Sequence, residues 1–262
     1  MSKKNKFGIE HLSLGDHMSL LLRIIMVAAL STVFITNAQA NSKGKTEFAT
    51  GNIGLRGYSM VGGGQLNFDK LNEKLEAKDY EGFSKEVLIL GGGFHASFRR
   101  FIIGFQGNAF LTDDKSSFNG NTATELQGGS GFVNLGYTII SRRNVSIYPL
   151  VGFGGGMSEL SMFPKDAPNF DDILTDPGIM VKLTSSAFLV NLAIGCDYLL
   201  IMGKNRQGAG GFSLGIRAGY IYSPFRKNWH YKGLPVGGGP KLDMSGPYVT
   251  LLIGGGGIFT EK

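Results

Sequence analysis

The residues best suited to chemistry in this sequence are a short triplet, three isolated charges and one mixed stretch. His95 and Ser97 stand two apart, so on a strand they share a face. A serine hydroxyl needs an adjacent base to become a nucleophile, and an imidazole at that spacing can supply one. No acid that would orient His95 stands out. Asp197 and Arg217 flank a segment of low apolar content, 202–210. In a hairpin closing there they come near-opposite, which predicts a cross-strand ion pair. Arg56 is a further charge in a glycine-rich, apolar run. The stretch Phe225-Arg226-Lys227-Asn228-Trp229-His230-Tyr231-Lys232 mixes cations with aromatics and holds the only tryptophan. Such a mixture binds sugars, phosphates or a protein surface, or else folds inward as a cover. Four scattered histidines and one cysteine give no metal-ligand spacing. Gly152-x-Gly154-Gly155-Gly156 is followed by no helix pattern that would hold a phosphate, so neither metal nor cofactor is expected.

The elements that must carry these residues follow from composition. The chain has 262 residues, 41 of them glycine, with 11% aromatic and only 18% charged residues. Disorder needs low hydrophobicity and high charge, the opposite balance. Glycine costs about 1 kcal/mol at each helix-interior position, so its abundance points to strands and turns. The N-terminus reads as an export signal. Lys3, Lys4, Lys6 and Arg23 lead into an apolar run, Ile24 to Ile35, and Ala38-Gln39-Ala40 supplies a small-x-small site. Residues 1–40 are the expected signal peptide, with cleavage before Asn41; Met18 is an alternative start. The apolar run is too short to span roughly 30 Å of hydrocarbon as a helix. Losing four basic and two acidic residues lowers the net charge from +6 to +4, which with export excludes a dedicated nucleic-acid binder. A lone cysteine, Cys196, excludes an internal disulfide.

Eight strands are expected near 51–64, 85–98, 101–111, 125–140, 145–162, 182–201, 211–223 and 245–259. Three connections are short or poor in apolar residues: 99–100, 141–144 and 202–210. Four are long and polar or irregular: 65–84, 112–124, 163–181 and 224–244. The two kinds alternate strictly, as in membrane barrels with short turns at one end and long loops at the other. The strands alternate too: Phe101, Ile103 and Phe105 against Gln106 and Asn108; Leu192, Ile194 and Tyr198 against Asn191 and Asp197. Runs of ten or more residues suit membrane strands better than globular ones, whose mode is about 5–6. Phe98, Phe101, Tyr137, Tyr198, Phe212 and Phe259 fall beside the short turns, where they would form an aromatic girdle. Leu71 and Leu75 among lysines and glutamates predict a short amphipathic helix within 66–83, capped by Asn67 or Asp69; its first expected place is solvated at the rim, and the alternatives are a plug folded into the lumen or a helix standing exposed. In a barrel of eight strands the interior is just wide enough for side chains. Arg56, Tyr58, His95, Gln106, Asn108, Asn134, Asn191, Asp197 and Arg217 are the polar residues expected inside it.

With export, loop alternation and strand patterning together, residues 45–260 resemble the small outer-membrane β-barrel proteins, the porin-family or OmpA/OmpX-like eight-stranded group. The resemblance implies an all-β fold: an eight-stranded antiparallel up-and-down transmembrane barrel with a short helix in its first extracellular loop. It implies residence in the outer membrane, contact with its lipid and lipopolysaccharide, and insertion by the barrel-assembly machinery. Such proteins usually end in an aromatic residue, whereas here Thr260-Glu261-Lys262 follow Phe259. The triplet His95-x-Ser97 is similar to the histidine–serine part of the outer-membrane lipid A deacylases, although that family carries its motif in a late strand and this triplet lies in the second. The first functional expectation is a non-enzymatic barrel with a structural or surface-interaction role. Its loop residues Arg226, Lys227, Trp229, His230 and Tyr231 would contact an extracellular ligand or protein. The alternatives are a narrow pore for small solutes and a lipid A-modifying hydrolase using His95 and Ser97.

Overall fold

The computed structural model describes residues 52–112, 115–116, 122–142, 144–166, 169–175, 180–205 and 208–260. The expected signal peptide lies outside them. Eight long strands run antiparallel, each paired with the next: β1 (Asn52–Gln65), β2 (Glu86–Phe98), β3 (Phe101–Leu111), β4 (Thr122–Tyr137), β5 (Val145–Pro164), β6 (Val181–Asn205), β7 (Gly208–Arg226) and β8 (Gly246–Thr260). β8 pairs back onto β1 from Asn52↔Thr260 to Gly64↔Tyr248. That last ladder closes the ring, so no long strand is left with an open edge. The fold is the expected eight-stranded up-and-down barrel.

Strand limits fall within a few residues of those read from the sequence, except at the turns. β6 and β7 pair as far as Asn205↔Gly208, so most of 202–210 is strand rather than turn. A ladder needs only backbone donors and acceptors, and pairing therefore continues where apolar content stops. Likewise Ile140–Arg142 pairs back onto β5 through Ile140↔Ile147 and Arg142↔Val145, shortening that turn. The Arg99-Arg100 turn takes two residues, with Arg99 in the left-handed region at φ 55°.

Side chains alternate between two environments. Phe101, Ile103 and Phe105 on β3, Leu192, Ile194 and Tyr198 on β6, and Leu214, Ile216 and Tyr220 on β7 point outward and are exposed. Gln106, Asn134, Asn191, Asp197 and Arg217 point inward and are buried. Glycine shapes both faces. Gly92, Gly107, Gly131 and Gly155 stand in register on four adjacent strands. Across this row an outward groove of about 450 Å³ is lined by Phe94, Phe105, Val133 and Phe153. One strand position along, a Cβ on Gly154 would run into the Gly131 carbonyl oxygen of β4, so this close approach needs glycine.

The four long connections gather at one end. The first carries α1 (Asp69–Glu76) and the third carries α2 (Phe170–Thr175). Asn67 accepts a hydrogen bond from the Asp69 N–H at 3.1 Å, while the helix N-cap is Phe68. α1 does not stand solvated at the rim. Phe68, Leu71 and Leu75 are buried with Trp229, Leu242 and Met244 of the last loop, against inward residues such as Phe110, Leu126 and Leu189. The helix is too polar for two buried leucines to be left wet, and the barrel mouth offers the nearest apolar surface.

Candidate functional site

The inward residues form two continuous layers. Towards the short turns lies a charged layer centred on Asp197. Its Oδ2 accepts from Arg56 Nη1 at 2.7 Å and from Tyr148 O–H at 2.7 Å. Arg56 Nη2 reaches Ser146 Oγ at 3.4 Å. His95 Nε2 stands 3.8 Å from the same carboxylate oxygen, and its ring lies 5.9 Å from Tyr58 and 5.8 Å from Tyr148. These contacts cross the lumen: β1 and β6 are three strands apart around the ring. Each partner is placed by alternation on its own strand, and closure brings them together.

Arg217 has different partners from those expected. The hairpin register sets Asp197 opposite Gly215 and Arg217 opposite Gly195, two positions out of line. The expected Asp197–Arg217 ion pair is therefore replaced by Arg56–Asp197. Arg217 Nη1 instead donates to Gln106 Oε1 at 2.5 Å and to Tyr58 Oη at 3.1 Å, with its guanidinium 5.0 Å from the Tyr58 ring centre. Gln106 Nε2 donates to Asn108 Oδ1 at 3.1 Å, and Asn134 Nδ2 reaches Gln106 Oε1 at 3.4 Å. On the far wall Tyr248 O–H donates to Asn191 Oδ1 at 2.9 Å.

His95 and Ser97 share the inward face of β2 as expected, and Ser97 lies opposite Gly54 of β1. No hydrogen bond joins the two among the described residues. The nearest acid to His95 is Asp197, whose strongest partners are Arg56 and Tyr148. His95 Nε2 is turned towards Asp197, while Ser97 Oγ lies against Gly54, where a Cβ would meet it.

Towards the long loops the lumen is apolar and covered. Trp229 is only 2% exposed; its indole N–H donates to the Pro240 carbonyl at 2.7 Å, and Val236 N–H bonds the Trp229 carbonyl. Arg226 pairs with Asp243 at 2.7 Å. Of the aromatic and cationic stretch, Trp229 is turned inward and Arg226 is tied down, while Lys227, Asn228 and Lys232 are exposed and His230 and Tyr231 half-buried. His230 and Tyr231 pair with Thr184 and Leu183 of β6. Sequence reasoning singled out the right stretch but not which members cover the mouth. The buried partner Tyr148 was missed altogether, although it alternates in step with Ser146 on β5. Among the described residues no cluster of histidine, cysteine and acidic groups could hold a metal.

No family model and no curated protein matches the chain. Among solved structures it is similar to the outer membrane protein OprG from Pseudomonas aeruginosa, at 13% identity and a TM-score of 0.37, covering 83% of this chain and 99% of that one. It is also similar to Ail, the attachment invasion locus protein of Yersinia pestis, at 14% identity and 0.36, covering 80% and 100%. The outer membrane protease OmpT from Escherichia coli follows at 8% identity and 0.25, covering 84% and 99%. At those scores the likeness lends this chain none of the activities of those proteins.

Proposed function

We propose that this chain is an outer-membrane barrel of a Gram-negative-type bacterium with a structural or surface-interaction role, its long loops facing outward from the cell. The packed lumen carries this reading, because buried side chains fill the described interior and the loops remain as the surface available for contacts. The outer wall suits a bilayer. On β7 the exposed apolar residues run from Phe212 to Tyr222. That run is ten steps, about 33 Å along the strand at roughly 3.3 Å per residue. A tilt of about 40° reduces that to a height of about 25 Å, the apolar band of an outer-membrane barrel. Exposed Phe98, Phe101, Tyr137, Tyr198, Phe212 and Phe259 border the band at the turn end, and Phe101 and Tyr137 meet edge to face at 5.3 Å. Outer-membrane lipid and lipopolysaccharide are the partners of that wall. The closing strand β8, ending near Phe259, is the segment offered to the barrel-assembly machinery. Planar-bilayer recording of the mature protein tests the reading. Current indistinguishable from the bare membrane is expected, and a steady single-channel conductance would favour the pore instead.

A further inference from the structure

Two arginines and one aspartate, with His95, are the buried ionisable side chains of acid or base type in the barrel among the described residues. Arg56 and Asp197 cancel. At least one positive charge is left over, and it sits on Arg217, which is 1% exposed. An uncompensated charge out of water is costly, and proteins normally pair or neutralise it. Arg217 has spent one nitrogen, Nη1, on two neutral oxygens. Its Nε and Nη2 are buried and meet hydrogen-bond geometry with no protein group, although the Tyr148 hydroxyl stands close to the guanidinium.

Those two are not alone. Thr250 Oγ1 and Asn191 Nδ2 are also buried without a protein partner. Thr250 is the cross-strand neighbour of Arg217 on β8. Asn191 lies on the inward face of β6, four residues from Gly195, which faces Arg217. Tyr248, two residues from Thr250 on the same face, ties Asn191 to β8 through its hydroxyl. Three adjacent strands thus carry four buried donor atoms into the lumen, two of them on the Arg217 guanidinium. Gly152 keeps the adjoining wall open: a Cβ there would press on Asn134 Oδ1 and lie 3.2 Å from Asn191 Cβ. Asn134 Oδ1 is a buried acceptor on this wall that also lacks a partner, so donors still exceed acceptors, and beside surplus positive charge that balance favours an anion over a cation. The side chains around it, Tyr148, Asn191, Arg217 and Thr250, are all buried, which suits a small monovalent anion.

We propose that the lumen binds a halide-sized anion, chloride under ordinary conditions, against Arg217 Nε and Nη2, Thr250 Oγ1 and Asn191 Nδ2. The site is an internal counterion for the barrel, and it is independent of what the loops contact.

The mature protein, refolded in detergent, is unfolded in sodium chloride and in sodium gluconate at matched ionic strength and followed by circular dichroism. Gluconate is too large to enter. Chloride at about ten times its dissociation constant should raise the folding equilibrium constant about tenfold over gluconate. Asn191→Asp keeps the acceptor for Tyr248 and supplies a built-in negative charge, so this variant should fold and lose the chloride dependence. Arg217→Gln should lose it as well. Crystals soaked in bromide should show an anomalous peak within hydrogen-bond reach of Arg217 and Thr250. Equal stability of the parent protein in both salts would overturn the proposal. So would an undiminished chloride effect in Asn191→Asp, or bromide confined to the outer surface.

Discussion

Replacing Asp197 by Asn is the sharpest perturbation of the charged layer. Asn keeps the size and an acceptor oxygen but removes the charge that Arg56 and Tyr148 face at 2.7 Å. Two unit charges at that distance attract by about 6 kcal/mol at an effective dielectric of about 20. Desolvation of both groups offsets part of this, and losing one partner of a buried pair typically costs about 3–5 kcal/mol. The retained acceptor places Asp197→Asn near the lower end, about 3 kcal/mol, a large share of a stability of about 5–15 kcal/mol. Urea unfolding read by the fluorescence of Trp229, the only tryptophan, gives the number through the midpoint and slope. Arg56→Gln should cost a similar amount, and the double variant less than the sum by about 1–3 kcal/mol. The same cycle with Arg217→Gln should show weaker coupling, since no contact joins Arg217 to Asp197. A loss below about 1 kcal/mol, or stronger coupling to Arg217 than to Arg56, would refute the assignment.

Further outcomes follow from packing. Gly154→Ala places a Cβ against the β4 backbone, which a closed ring cannot yield, and should lower stability by about 1–3 kcal/mol. Gly107→Ala meets nothing within 4 Å and should be neutral or slightly stabilising through the unfolded chain; the two are compared by heat-shift electrophoresis. Trp229→Ala removes a buried ring and its bond to Pro240, and should cost about 3–5 kcal/mol in the same urea titration, monitored by circular dichroism. Leu75→Asp should release α1 from the mouth, seen as a new trypsin cut within 70–78 on intact cells; unchanged resistance would count against the docked helix.

Closure explains what the sequence disclosed and what it did not. Strand limits were legible because alternation and turn chemistry are local: Phe101 outward and Gln106 inward can be read from β3 alone. The partner of Asp197 was not, because a hairpin argument sees only the neighbouring strand. Arg56 is 141 residues away, and only the β1–β8 ladder brings it across the lumen. The destination of Trp229 was equally hidden. Its neighbours Arg226, Lys227 and Lys232 make the stretch look like surface, and its burial depends on Leu71 and Leu75 arriving from another loop. Phe110, Leu126 and Leu189 are apolar on the inward face, where alternation led to polar side chains. Near the long loops the interior has become a small core, so both faces are apolar and the contrast disappears.

That core bears on how such a barrel is held together. Outward leucines and phenylalanines gain little from a bilayer partner as apolar as themselves once inserted, so the wall supplies no inward hydrophobic drive. The interior must therefore supply specificity by two different means. Near the turns it uses charge: Arg56, Asp197, Tyr148 and Arg217 make their contacts with one another and with Gln106 and Tyr58 only when β1, β3, β5, β6 and β7 have reached their places. Near the loops it uses ordinary burial, with α1 and Trp229 seated on the mouth only after the strands below have closed. Both devices reward the closed ring over any open sheet. Because the lid packs on the barrel through Phe68, Leu75, Trp229 and Met244, anything that binds the exposed face of these loops from outside acts on an element already coupled to the barrel core.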